Sequence, residues 1–295
     1  MSRRGLFLFV ANSIIWGLPF WLTKILLTEL DPSLIVFLRS GIAALILVPL
    51  TWRTGALKAA LRQWPWVLVF ALAQIAIPWW LTGTAQKYLA SSFTGLLMTA
   101  IPIIGLFFAF VAGDQQIFSK QLTLGLVIGL CGVVLLIGLN GLQTHLNWGA
   151  IAMVLIATSG FAYAPRVVSR HLQEVPSLGA VALTVAMTAG IWLIPAAISL
   201  PRHTPRASVI VSTLIIGVVC TALAFWNFFE LIKEIGPTKT TYLAFTNPMV
   251  AVLVGVVFAH EPLTLGIVAS LPLIILGTYL SISARAKPHE RRERR

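Results

Sequence analysis

The chain has 295 residues, 58% of them hydrophobic and only 10% charged, against roughly 25% charged residues in a soluble domain, so a soluble globule is excluded. A mean hydropathy of +0.92 arises from apolar runs of about 20 residues, each long enough to cross a ~30 Å hydrocarbon core as a helix. The net charge of +12 does not point to nucleic acid, because Lys and Arg sit in short connectors and in the tail 285–295, where anionic lipid headgroups account for them.

Hydropathy predicts ten membrane-spanning helices over 5–28, 34–52, 65–84, 92–112, 122–140, 148–169, 178–200, 208–231, 240–259 and 266–284. The fold class is therefore all-α integral membrane protein. Ser2-Arg3-Arg4 before an apolar run resembles a signal peptide, but the run continues to Leu27 without a clear small-residue cleavage site, so it reads as a retained first helix. Cys131 and Cys220 lie inside apolar runs, which leaves neither a disulfide framework nor a metal cluster and implies no cofactor.

Polar and aromatic side chains near span centres are the candidate ligand contacts, since polar groups are costly within hydrocarbon and a binding pocket there needs a few of them in otherwise apolar walls. In chain order these are Asn12 and Trp16 in the first span, Arg39 in the second, and Gln74 and Trp79 in the third. Met98 and Thr99 follow in the fourth, Ser159 and Tyr163 in the sixth, Asn227 in the eighth, and Thr246 with Asn247 in the ninth. The amides donate and accept, which suits a zwitterionic amino acid or another uncharged metabolite, although interhelical bonding explains any one of them as well. Trp16, Trp79 and Tyr163 offer faces to an aromatic ring.

Arg39 lies ~8 Å inside its span by helical rise and needs an anion. Glu29 and Asp31 in the preceding connector are its expected partners; a substrate carboxylate is the alternative. All nine acids and five histidines sit at span ends, in connectors or in the tail, so no titratable group in the pathway suggests proton coupling, with His260-Glu261 the best exception. Transport is expected to run down the substrate's own gradient. Pro102 and Pro248 are hinge candidates, and Gly125, Gly129 and Gly132 form a small-residue stripe for close helix packing.

Of the 21 Lys and Arg, 16 fall on the face carrying the termini, three (Lys87, Arg202 and Arg206) on the other, and Lys24 and Arg39 within spans. Positive-inside bias makes both termini cytoplasmic. The chain also repeats itself: Asp31-Pro32-Ser33-Leu34 and Val175-Pro176-Ser177-Leu178 open spans two and seven, while Pro102 with Pro248 and Lys87 with Lys233 share an offset of 146. Five crossings per unit force the second unit to enter from the opposite side, which makes the halves, 1–144 and 145–284, inverted repeats followed by a basic tail, 285–295. Exchange of two conformations between such halves opens a central site to alternate sides.

These residues resemble the drug/metabolite transporter superfamily, specifically its ten-helix EamA-type members. The resemblance is carried by Trp16-Gly17, Arg39, Pro248, Glu261 and Gly277, with Pro102 and Gly132 in the first half. Asp114-Gln115 stands where a membrane-end Glu is usual. Within the family the chain looks most like bacterial exporters of aromatic amino acids of the YddG type. The resemblance implies a basket-like fold, an inner-membrane location and export of a small-molecule substrate by a protein that functions as a monomer in the bilayer. A broad drug or metabolite exporter is the nearest alternative; an intramembrane enzyme is distant, because the spans hold no catalytic motif.

Overall fold

The computed structural model describes residues 2–111, 120–143, 147–236, 240 and 243–293. Asp114, Gln115, His145 and Lys239 lie outside the described residues. The described chain is helical throughout: α1 (Arg3–Leu26), α2 (Pro32–Arg53), the short α3 (Ala56–Arg62), α4 (Trp64–Ala85), α5 (Ser91–Leu97), α6 (Ile101–Val111), α7 (Lys120–Gln143), α8 (Trp148–His171), α9 (Ser177–Ile198), α10 (Ala207–Ile235), α11 (Leu243–Phe258) and α12 (Leu265–Glu293). Seven are long and apolar enough to cross a membrane, and Ser91–Gly105, Thr246–Phe258 and Leu265–Leu280 are shorter apolar stretches.

Local chemistry sets the helix ends. Ser2 accepts from the Gly5 N–H at 2.9 Å, Asp31 from Ser33 at 3.0 Å ahead of Pro32, and Asn147 from Ala150 at 2.9 Å, each satisfying an orphan donor of a first turn. Gly55, at φ 74°, supplies the left-handed residue between α2 and α3. The last helix differs from expectation: α12 continues to Glu293, through most of the stretch read as a tail, because Ala, Lys, Glu and Arg there are strong helix formers.

Packing is pairwise. The most extensive contacts join α7 to α12 and α2 to α9; α1 packs on α10 and α11, α8 on α4 and α6, and α5 on α11. Buried apolar side chains such as Leu47, Val67 and Val185 fill the space among α2, α4 and α9, while Leu96, Leu136, Val154 and Ile274 fill that among α5, α7, α8 and α12. Outward-facing Phe7, Leu45, Ile194 and Ile198 are exposed, as lipid contact requires.

Polar links gather at the two ends of the bundle. Beside the start of α1, Arg4 pairs with Glu230 at 3.0 Å and with Glu234 at 3.6 Å, and Lys233 donates to Glu230 at 2.9 Å. Beyond its other end, Lys87 pairs with Asp31 at 3.3 Å and Arg206 with Glu29. The 24 residues of α1 separate these groups by about 36 Å, so Lys87 and Lys233 lie at opposite ends.

The glycine stripe of α7 packs on α12. A Cβ on Gly277 would stand 2.4 Å from the Gly129 nitrogen and 2.6 Å from the Gly125 oxygen, backbone atoms that cannot yield. Gly277→Ala is expected to force α7 and α12 apart at a cost of about 1–3 kcal/mol, seen as a lower unfolding temperature in detergent. Gly190→Ala, where a Cβ meets nothing within 4 Å, should leave that temperature unchanged or raise it.

Candidate substrate-binding site

Two helices widen where their carbonyls are needed. In α4 the turn Leu72–Ala76 is π-helical just before Pro78, whose missing N–H a wider turn accommodates. In α10 the π-helical stretch runs over Ile215–Leu223, and Thr221 Oγ1 donates to the Ile216 oxygen five residues back at 2.8 Å. Each stretch hands a carbonyl to a side chain from another helix. Trp192 of α9 donates through Nε1 to Ala76 of α4 at 3.1 Å, and Arg39 of α2 donates through a terminal nitrogen to Cys220 of α10 at 3.4 Å.

Arg39 is held on three sides. Its Nε donates to Thr221 Oγ1 at 2.9 Å, and its guanidinium carbon lies 3.6 Å from the centre of the Trp79 ring, a cation–π contact worth about 2 kcal/mol once desolvated. The expected pairing with Glu29 or Asp31 does not form. Those acids are engaged beyond the helix ends, Glu29 by Arg206 and Asp31 by Ser33 and Lys87, while Arg39 sits two turns inside α2. Among the described residues no carboxylate pairs with Arg39.

A second polar group gathers where α1, α10 and α11 meet. Asn227 donates to Asn12 Oδ1 at 3.0 Å and to the Leu8 carbonyl at 2.9 Å, and Ser13 bonds Thr246 at 2.8 Å. The contacts of Ser13 with Thr246 and of Gly17 with Val250 advance together, so α1 and α11 run parallel. At 100° per residue, Asn12 just before the facing pair and Asn247 just after it then project on the same flank of that seam, the flank where Asn227 lies. Asn12 is fully buried, yet its Nδ2 has no hydrogen-bond partner, and neither does Asn247 Oδ1. A buried donor and a buried acceptor without partners thus lie on one flank of the seam. Trp16, one turn beyond Asn12, packs on Phe228 with centroids 4.8 Å apart and edge-on to Phe225 at 6.1 Å.

The remaining candidates lie elsewhere. Gln74 stands in the π turn of α4, where a Cβ on Gly160 of α8 would come within 2.4 Å of the Ala73 oxygen. Ser159 donates to Leu155 of its own helix at 2.9 Å, and Tyr163 is 41% exposed, edge-on to Phe108. Met98 packs into the core around Leu96 and Leu136; Thr99 donates to the Leu96 carbonyl and faces the crevice with Gly129 and Gly277. The expected hinges differ: a 3₁₀ turn, Met98–Ala100, interrupts the span before Pro102, whereas α11 stays α-helical through Pro248. Sequence reasoning missed Ser13, Thr221, Phe225 and Phe228. Thr221 was visible as a hydroxyl within a span, but the π turn that aims it was not.

Comparison with known proteins accords with this architecture. The sequence profile of the EamA-like transporter family matches residues 3–138 and again 147–283. The chain belongs to the EamA-like transporter family. Its similar relatives include the uncharacterized transporter YvbV of Bacillus subtilis, 27% identical over 274 residues covering 90% of this chain and 88% of that protein. The uncharacterized inner membrane transporter YedA of Escherichia coli is 25% identical, with 90% and 89% covered. An uncharacterized transporter of Archaeoglobus fulgidus is 22% identical over 98% of this chain and all of its own length. A solved crystal structure superposes with a TM-score of 0.68 over 97% of this chain and 99% of that one, at 18% identity, which speaks to the fold. As a family member, the chain is a multi-pass membrane transporter of the drug/metabolite superfamily.

In such a transporter the unpartnered amide atoms and the bonded ones have different costs. Asn227→Ala would strand Asn12 Oδ1, while the Leu8 carbonyl keeps its bond within α1, a loss of about 1–3 kcal/mol for a buried group. It should lower the detergent unfolding temperature. Asn247→Ala, which removes an oxygen that has no partner, should lower it less, as read by thermal unfolding of the two variants side by side.

Proposed function

We propose that this protein exports aromatic, and to a lesser degree other neutral, amino acids across the bacterial inner membrane by alternating access, down the substrate's own gradient. One observation carries the reading: a guanidinium inside the bundle, seated on an indole face and without a carboxylate among the described residues, is held by Thr221 one turn before Phe225, which with Phe228 packs on Trp16. The carboxylate of an amino acid answers the charge, and an aromatic side chain of 150–250 Å² buried at ~25 cal/mol/Å² contributes roughly 4–6 kcal/mol before ordering costs. That range corresponds to the weak binding from which a carrier can release. The amides Asn12, Asn227 and Asn247 take the remaining polar group. Thr246, bonded to Ser13, borders these amides, whereas Gln74, Met98, Thr99, Ser159 and Tyr163 are not needed by this reading.

The same reading takes the chain as two inverted five-helix units, 1–144 and 145–284, with both termini cytoplasmic. It is supported by the packing, which is unchanged when first-half helices are exchanged for their second-half counterparts. The contact of α1 with α11 corresponds to that of α8 with α6, α1 with α10 to α8 with α4, and α2 with α10 to α9 with α4. The π turns of α4 and α10 likewise occupy matching positions, 72–76 and 215–223, at an offset near 146.

Purified protein in liposomes preloaded with unlabelled phenylalanine should take up labelled aromatic amino acids by counterflow and leave aliphatic and charged ones outside; equal exchange of all classes would sink the aromatic assignment. Arg39→Gln should weaken carboxylate-bearing cargo by about tenfold or more, as loss of one charge-assisted hydrogen bond predicts, and spare decarboxylated analogues. Lys87 should react with a membrane-impermeant amine reagent on intact cells, and Lys233 only in inside-out vesicles.

A further inference from the structure

The end of the bundle beyond α1 holds a contact that the cargo site does not use. α11 ends in a tight reversal in which Ala259 donates to Val254 at 3.3 Å, Glu261 donates to Gly255 at 3.0 Å, and His260 takes a left-handed φ of 52°. This conformation is costly for a side chain such as His and turns Glu261 back across the helix end. Its carboxylate then accepts three hydrogen bonds: from the Ser91 N–H at 2.6 Å, the Ser92 N–H at 2.9 Å and the Ser92 hydroxyl at 2.6 Å. Ser91 and Ser92 are completely buried. The carboxylate lies against Gly255, where a Cβ would stand 2.7 Å from Glu261 Oε2, so no other residue leaves it room. Burial pulls the Glu261 carboxyl upward, but the bonds from Ser92 and Ser91 outweigh it and hold it below the ordinary carboxylate value. Lys24 of α1 adds its positive field.

The segment so held is built to move as a piece. All seven residues of α5 are buried, Gly95 meets Ala251 of α11 within contact distance, and the 3₁₀ turn Met98–Ala100 separates α5 from α6. Among the described residues of that span, the only abrupt change of helix type therefore lies one to two turns below the Glu261 contact. We infer that Glu261 is the latch of the external mouth: its carboxylate ties α5 to the α11–α12 connector, and the mouth opens outward when those bonds break and α5 swings about Met98–Ala100. The inference rests on the proposed orientation and deepens it by naming the gate.

The test is accessibility. In a Cys131→Ser, Cys220→Ala background, Ala251→Cys places the sole thiol in the α5–α11 seam below the latch. A membrane-impermeant thiol reagent applied outside should label it slowly in the parent, and about tenfold or more faster with Glu261→Ala, as loss of charge-assisted bonds predicts; Ser92→Ala should fall between. An unchanged rate in a Glu261→Ala protein that remains monodisperse would overturn the latch. Should that variant not fold, Glu261→Gln takes its place with the same two outcomes. Labelling needs no cargo, so failed amino-acid counterflow and a failed latch are read separately. Labelling of Ala251→Cys only from the cytoplasmic side would overturn both the latch and the orientation on which it rests.

Discussion

A positive charge set two turns inside a membrane span constrains this bundle. Arg39 enters from α2 two turns below the helix start, too deep for the acids that close the helix ends, and its five donors must be met by what the surrounding helices offer. Regular α-helices offer almost nothing, because their carbonyls are already bonded along the axis. The π stretch of α10 changes this by widening the turn, so that Thr221 and the Cys220 carbonyl face the guanidinium. Trp79 covers one face. Neutral acceptors and a quadrupole hold the cation in place without neutralising it.

The two halves share backbone devices and differ in what they place on them. Each has a π turn at the same level of its third long helix, and each turn gives a carbonyl to a side chain from the helix packed against it: Trp192 on the α4 side, Arg39 on the α10 side. Adjacent indoles of α4 then separate the two solutions, Trp80 stacking on Trp192 at 5.5 Å while Trp79 covers Arg39. The duplicated scaffold thus carries a charged insert on one side and an aromatic insert on the other.

Much of the architecture was legible in the residues because membrane burial makes hydropathy nearly decisive: all ten apolar runs coincide with helical stretches, to within a few residues at most ends. The site was legible in its parts but not its groupings. Asn12 with Asn227, and Arg39 with Trp79, are single polar or aromatic letters in apolar runs, conspicuous in sequence, and the fold brings each pair together. Ser159 and Thr99 are equally conspicuous, yet both spend their hydroxyls on carbonyls of their own helices, an outcome that composition cannot distinguish from a ligand contact. The partner of Arg39 was misread because proximity in sequence favoured Glu29 and Asp31. Arg206 and Lys87, far away in sequence, compete for both acids at the helix ends, where less desolvation is needed. π turns leave no compositional mark, so the carbonyls they release could not be anticipated.

Symmetry also fails in the proline-bearing helices, with a mechanical consequence. Pro102 and Pro248 occupy equivalent positions, but the turn before Pro102 is drawn into a 3₁₀ conformation whereas α11 remains regular from Leu243 to Phe258. A proline deletes the same hydrogen bond in both helices, so the difference must come from what holds the two ends. On one side of the break α5 is buried on every residue and tied by three bonds to Glu261; on the other, α6 follows α8. A helix pinned to two bodies at a point already lacking a hydrogen bond yields there first, whereas α11 is seated along its length on α1, through Ser13 and Gly17, and on α5. The two prolines are thus equivalent in chemistry but not in load: the bend belongs to the span whose ends are held by different parts of the protein.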